Sequence, residues 1–155
     1  MVPIDNLVIA DRADEKDNEP SLILSLREEG KSRRLTGGNL LVSFRCGDRY
    51  LFVCDMDCIF EESFEFYLLS ASFDVLDNVS LGLAYASGDF HSLEIVSSDR
   101  LQFFFFADEK WELSIRDQRT LRSPFVLGPF FSPVSHPFSF FSYLSLQKVQ
   151  TSSRT

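Results

Sequence analysis

Four short apolar runs at near-regular spacing constrain this chain more than any other feature. Val79–Ala86, Phe90–Val96, Leu101–Ala107 and Trp111–Arg116 are each of strand length. Turn-forming stretches of two to four residues separate them, SGD, SSDR and ADEK. Strand plus turn recurs at roughly ten residues, the signature of an antiparallel meander. Leu101–Phe106, LQFFFF, is apolar on both faces and is expected to be a central strand covered on both sides.

The N-terminal half adds further strands. Ser21–Arg27 nearly alternates, with Leu22, Leu24 and Leu26 against Ser21, Ser25 and Arg27. Gly37-Gly38 marks a turn into Asn39–Arg45, and Cys46-Gly47-Asp48-Arg49 is a tight-turn signal that folds Tyr50–Cys54 back as a hairpin. The expected fold is therefore mainly β, an antiparallel meander forming a sandwich or a partly open barrel. Seventeen phenylalanines, stiff rings suited to strands, supply most of the large apolar surface.

The densest block, Arg49–Phe73, carries two periods at once. Met56, Ile59, Phe60, Ser63, Phe64, Tyr67, Leu68 and Ala71 follow helical spacing, with Asp55 or Asp57 as a cap. Phe64, Phe66 and Leu68 also alternate with Glu65, Tyr67 and Leu69, which suits a strand over Ser63–Phe73. The helical period places one helix near 57–70 and would make the fold α+β.

With 155 residues, the chain has the length of a single domain able to bury its own core. Residues 1–20 are expected to be a charged arm or loop, 123–140 an irregular Pro/Phe-rich segment and 150–155 a frayed tail. Ser139–Val149 is expected to close the sheet as an edge strand. The uncharged stretch Ser123–Gln147 is long enough to span a bilayer, but four prolines and several serines within it argue against a membrane helix.

The net charge is −8, and its placement is uneven. Residues 1–77 hold 8 basic and 16 acidic side chains (8 − 16 = −8), whereas residues 78–155 hold 7 of each. An acidic surface repels phosphate backbones and attracts basic proteins, so the expected partner is a basic protein rather than nucleic acid or membrane. Three cysteines cannot all pair within one chain, and the start of the chain has neither a basic region nor a long apolar core of signal type, so a cytoplasmic setting is expected.

Asp55-Met56-Asp57 after a hydrophobic strand resembles the aspartyl pair of haloacid-dehalogenase-type phosphatases. That resemblance, confined to these residues, implies Asp55 as nucleophile, Asp57 as the proton shuttle and magnesium held by both. The chain offers no alternating strand–helix run for the doubly wound sheet such enzymes use, so a strand end followed by a cap is the plainer expectation. Cys54-x3-Cys58 with Cys46 lacks the second close pair of ligands that structural zinc wants, because His91 and His136 stand apart. No G-x-S-x-G or phosphate-cradling glycine loop occurs. Neither a catalytic residue nor a metal or other cofactor is expected.

The expected role is a small acidic protein-binding module, most concretely an inhibitor or immunity-type protein that neutralises a basic toxin or enzyme. Asp55, Asp57, Glu61, Glu62 and Glu65 are the candidate acidic face, and Phe130, Phe131 and Phe138 the candidate aromatic contact. An apolar small-ligand binder with a phenylalanine-lined cavity is the alternative, ahead of a magnesium phosphatase. Oligomeric state has no signature in the sequence.

Overall fold

Period-two alternation dictates the architecture, and in the computed structural model it builds strands throughout. The structure describes residues 1–10, 20–27, 29–57, 62–82, 90–106, 109–121, 132–136 and 140–150. In chain order the strands are β1 (Val2–Pro3), β2 (Leu7–Ala10), β3 (Ser21–Leu26), β4 (Ser32–Thr36), β5 (Asn39–Cys46), β6 (Arg49–Asp55) and β7 (Ser63–Leu69). They continue as β8 (Val75–Gly82), β9 (His91–Ser97), β10 (Arg100–Phe105), β11 (Glu109–Leu121), β12 (Val134–Ser135) and β13 (Phe141–Lys148). No helix occurs among the described residues, and hence none long and apolar enough to cross a membrane.

The strands form three sheets: six-stranded β1-β5-β6-β7-β8-β12, four-stranded β13-β11-β10-β9 and three-stranded β2-β3-β4. Among the described residues every pairing is antiparallel, and no sheet closes into a barrel. The mainly-β, sandwich-type expectation therefore holds.

The six-stranded sheet is the middle layer, because it contributes to both hydrophobic cores. Leu51, Val53, Phe64, Phe66 and Leu68 pack with Leu101, Phe103, Phe105, Trp111, Leu113 and Ile115 of the four-stranded sheet. The alternate residues of the same two strands, Tyr50, Phe52, Cys54, Tyr67 and Leu69, pack with Leu22, Leu24, Leu26 and Leu35 of the three-stranded sheet. Aromatic rings make the joints. Phe64 meets Phe105 edge to face at 4.7 Å, and Phe66 stacks on Phe103 at 5.6 Å between ring centroids. Such pairs add to the free energy of plain burial. The Tyr67 hydroxyl donates to the Thr36 carbonyl at 3.0 Å, tying the middle layer to β4.

The Gly47-Asp48 turn joins β5 to β6 with Cys46 opposite Arg49, as expected. Gly47, first of the two turn residues, has φ 66°, a left-handed conformation that hairpin turns of this length favour there.

Three expectations need correction. Within the helix expected near 57–70, Ser63–Leu69 form β7 and no described residue is helical, so the α+β alternative falls. Phe64, Phe66 and Leu68 face one core and Tyr67 and Leu69 the other, and burial on both faces lets a strand mimic helical spacing. Leu101–Phe106 is covered on one face only, since Gln102, Phe104 and Phe106 are half-buried. The strand enclosed on both faces is β6, whose Tyr50–Cys54 are all buried. At the N-terminus, within the expected arm, Val2–Pro3 pair with β5 and Leu7–Ala10 with β3, whereas 11–19 lie outside the described residues. Of the Pro/Phe-rich segment, 132–136 and 140 are described, and Val134–Ser135 pair with β8. The edge strand expected over Ser139–Val149 is β13.

Candidate partner-binding site

The four described acidic residues singled out by sequence, Asp55, Asp57, Glu62 and Glu65, lie near the loop end of the β6–β7 hairpin but divide by role. Asp55 ends β6, and the ladder runs one step further through the Met56 amide, which donates to the Ser63 carbonyl at 3.1 Å. The Gly37-Gly38 turn closes over this end. A Cβ on Gly38 would come within 2.2 Å of the Asp57 Cβ, so only glycine permits the approach. The Gly38 amide then donates to the Asp55 carbonyl at 2.7 Å. The Asp55 carboxylate accepts from the Asn39 amide at 3.0 Å and from Asn39 Nδ2 at 3.0 and 3.2 Å.

Glu65 is likewise engaged. It accepts from Asn78 Nδ2 at 2.8 Å and from Ser80 Oγ at 2.6 Å, both on β8. Asp55 and Glu65 thus fix the geometry of the hairpin end. Asp57, exposed at φ 48°, and Glu62, half-buried, flank its loop. Glu61, Phe130, Phe131 and Phe138 lie outside the described residues.

The structure separates the cysteines. Cys46 belongs to the core beneath the four-stranded sheet and Cys54 to the core beneath the three-stranded sheet, so the two thiols sit on opposite sides of the middle layer. They cannot share a metal ion, and no group of three or more metal-ligating side chains occurs among the described residues. Cys58 lies outside them. His91 is on β9, stacked on Phe104 at 5.7 Å between centroids, while His136 follows β12 at the edge of another sheet. The phosphatase resemblance loses its scaffold as well, because every sheet is antiparallel rather than doubly wound and parallel.

Burial pushes the Cys46 thiol up to about 11 and the Cys54 thiol up to about 12, the latter helped by the Asp55 and Glu65 carboxylates. Burial also raises the Tyr67 hydroxyl. At neutral pH the two thiols are protonated packing groups rather than nucleophiles. Their protons are held more tightly in the folded chain than in the unfolded one, so the unfolded chain ionises first as pH rises. Stability is expected to be flat towards neutral pH and to fall from about pH 9 as the solution approaches 11. Urea midpoints measured across that range check it, and a constant midpoint would refute the buried-thiol account.

Sequence reasoning missed a second constellation, which braces a two-stranded ribbon. Asp77 on β8 is a buried carboxylate. Its Oδ2 accepts from Ser142 Oγ at 2.8 Å and from the Tyr143 and Leu144 amides at 2.7 Å each. Its Oδ1 accepts from the Asn78 amide at 2.9 Å. The middle layer thereby grips the root of β13. Arg49 grips the neighbouring strand, donating through Nη1 to the Arg116 carbonyl at 2.7 Å and pairing with Asp117 at 3.4 Å. The guanidinium groups of Arg49 and Arg119 lie 5.7 and 5.5 Å from the Tyr143 ring centroid. A cleft of about 310 Å³ beside this root is lined by Asp48, Arg49, Ser70, Asp117 and Tyr143, among others. The missed signal was phase, because Asp77 shares the inward set of β8 with Val79 and Leu81.

From Ile115 to Thr120 the β11–β13 register shifts, so that Ile115 faces Leu144 and Thr120 faces Ser142. A bulge of this kind lets a strand leave its sheet. In comparisons with known proteins, this chain matches no family model, no curated protein and no solved structure.

Proposed function

We propose that this chain is a protein-binding module that engages a basic protein through the acidic end of the β6–β7 hairpin, as an inhibitor or immunity-type protein would. One observation carries the reading. Residues 55–65 contain five carboxylates and no lysine or arginine, and the fold sets Asp55, Asp57 and Glu62 around the loop end of the β6–β7 hairpin. Hydrogen bonds from Asn39 to Asp55, and from Asn78 and Ser80 to Glu65, hold that end in shape before any partner arrives. Preorganised charge speeds encounter with a cationic partner and lowers the ordering cost of binding.

The test is capture from the native host at low and high salt, with the intact chain and a neutralised variant as baits. The variant carries Asp57→Asn, Glu61→Gln and Glu62→Gln and spares Asp55 and Glu65, whose carboxylates hold the fold. A basic protein retained near one-to-one, with affinity reduced by roughly tenfold or more in the variant, is the expected outcome. Equal capture of the same protein by both baits would move the contact elsewhere and refute this reading.

A further inference from the structure

We propose that the gap between the middle and three-stranded sheets, where the chain crosses from one to the other, binds a small apolar α-amino acid as its zwitterion. After β1 pairs with β5, the Ile4 amide still donates to the Ser43 carbonyl at 3.3 Å. Two residues later the Asn6 carbonyl accepts from the Arg27 amide of the other sheet at 3.0 Å. Residues 4–6 therefore span the two layers as a single length of backbone, which cannot fill the space between sheets that pack about 10 Å apart. The result is a cavity of about 320 Å³ at the edge of the smaller core. Its inner wall is Tyr50 and Leu26, both members of that core, and Val2, Pro3 and Ile4 form its apolar side. The wall is firm, because the Tyr50 ring packs edge to face on Phe73 at 5.1 Å between centroids.

Charge at the rim identifies the ligand. Asp5, Glu29 and Arg45 line the cavity. Glu29 is bonded to Lys31, and Arg45 donates through Nε to the Gly47 carbonyl at 3.2 Å. The two terminal nitrogens of Arg45 and the Asp5 carboxylate have no protein partner among the described residues. Arg45 stands opposite both Val2 and Tyr50 in the sheet, which sets it beside the apolar wall. An unpaired carboxylate and a half-used guanidinium on one apolar cavity match a ligand with an ammonium, a carboxylate and an apolar side chain on one carbon. Asp5 takes the ammonium, the Arg45 fork takes the carboxylate, and the side chain lies against Tyr50 and Leu26.

Volume sets the size. Small-molecule sites run from about 300 to 1,000 Å³, so this cavity takes a ligand of amino-acid rather than lipid or nucleotide size. A purely apolar ligand makes no use of either charge, and a plain carboxylate meets Asp5 with no ammonium to offset it. The cleft beside Arg49 offers no such match, because that guanidinium is taken by the Arg116 carbonyl and Asp117.

The test is amide NMR of the full chain titrated with L-phenylalanine, L-leucine and L-serine. Saturable shifts at the Ile4, Asn6 and Arg45 amides are expected from the two apolar amino acids. Serine should bind at least roughly tenfold more weakly, because it buries no apolar side chain. N-acetyl-L-phenylalanine and L-phenylalaninamide each lack one charge and should bind about five- to tenfold more weakly than L-phenylalanine. Asp5→Asn and Arg45→Gln should each weaken L-phenylalanine binding by about the same factor. Amide dispersion in each variant's spectrum reports its folding. Arg45→Lys, which keeps the charge but loses the fork, replaces Arg45→Gln if that variant unfolds. Absence of saturable shifts at these amides overturns the proposal, as does equal binding of either blocked analogue or undiminished binding by either charge variant. Serine binding as tightly as phenylalanine would also overturn it, since the apolar wall would then play no part. Neutralising Asp57, Glu61 and Glu62 should leave the shifts intact, so this result stands apart from the acidic-hairpin reading.

Discussion

Asp77→Ala is expected to lower the free energy of unfolding by about 3–5 kcal/mol, most of a small protein's margin. The carboxylate takes four hydrogen bonds, three of them from β13 to one oxygen. Alanine would leave the buried Leu144 amide and the half-buried Tyr143 amide without that acceptor, whereas the Ser142 hydroxyl keeps the Leu144 carbonyl at 2.6 Å. An unsatisfied buried donor costs about 1–3 kcal/mol. Asp77→Asn keeps one acceptor oxygen and loses the charge that strengthens these bonds, so a smaller loss of about 1–2 kcal/mol is expected. Urea denaturation gives the magnitude, and hydrogen exchange at Tyr143 and Leu144 gives the location. Loss of protection confined to β13 and β11 would identify the carboxylate as the brace of the ribbon. A destabilisation under 1 kcal/mol would mean that water replaces it at little cost.

The elements the sequence foretold are those where one period acted alone. β10 and the first half of β11 were legible because buried and half-buried residues alternate there, and the Gly47-Asp48 hairpin because turn residues stand between two apolar runs. β7 was not, because a strand buried on both faces lacks the polar phase that distinguishes period two from 3.6. The N-terminal strands were hidden by brevity, since two residues at Val2–Pro3 carry no period. The acidic cluster was legible as charge but not as chemistry. Asp55 meets Asn39 sixteen residues away, and Glu65 meets Asn78 and Ser80 thirteen and fifteen away, through pairings that only the sheet register creates. Asp77 was legible in principle, as a carboxylate in the inward phase of a strand, which obliges the fold to supply donors. Those donors come from β13, sixty-five to sixty-seven residues on, and local sequence does not specify them.

Phe52→Ala and Phe66→Ala are each expected to cost about 3–5 kcal/mol, the range for emptying a fully buried phenylalanine site, but to loosen different layers. The two residues lie on adjacent strands of the middle sheet, with Phe52 opposite Tyr67 and Val53 opposite Phe66. Phe66 points to the four-stranded sheet and stacks on Phe103. Phe52 points to the three-stranded sheet and packs edge to face on Phe73 at 5.9 Å. Phe66→Ala should therefore lower amide protection first in β10 and β11, and Phe52→Ala in β3 and β4. Among the described residues the three-stranded sheet brings Leu22, Leu24, Leu26 and Leu35 as buried side chains, so Phe52→Ala is expected to release it while the larger core persists. The effects should add to within about half a kcal/mol, because the two rings belong to separate cores. Equal loss of protection in both outer sheets from either substitution would overturn the two-core account and require one cooperative core running through the middle layer.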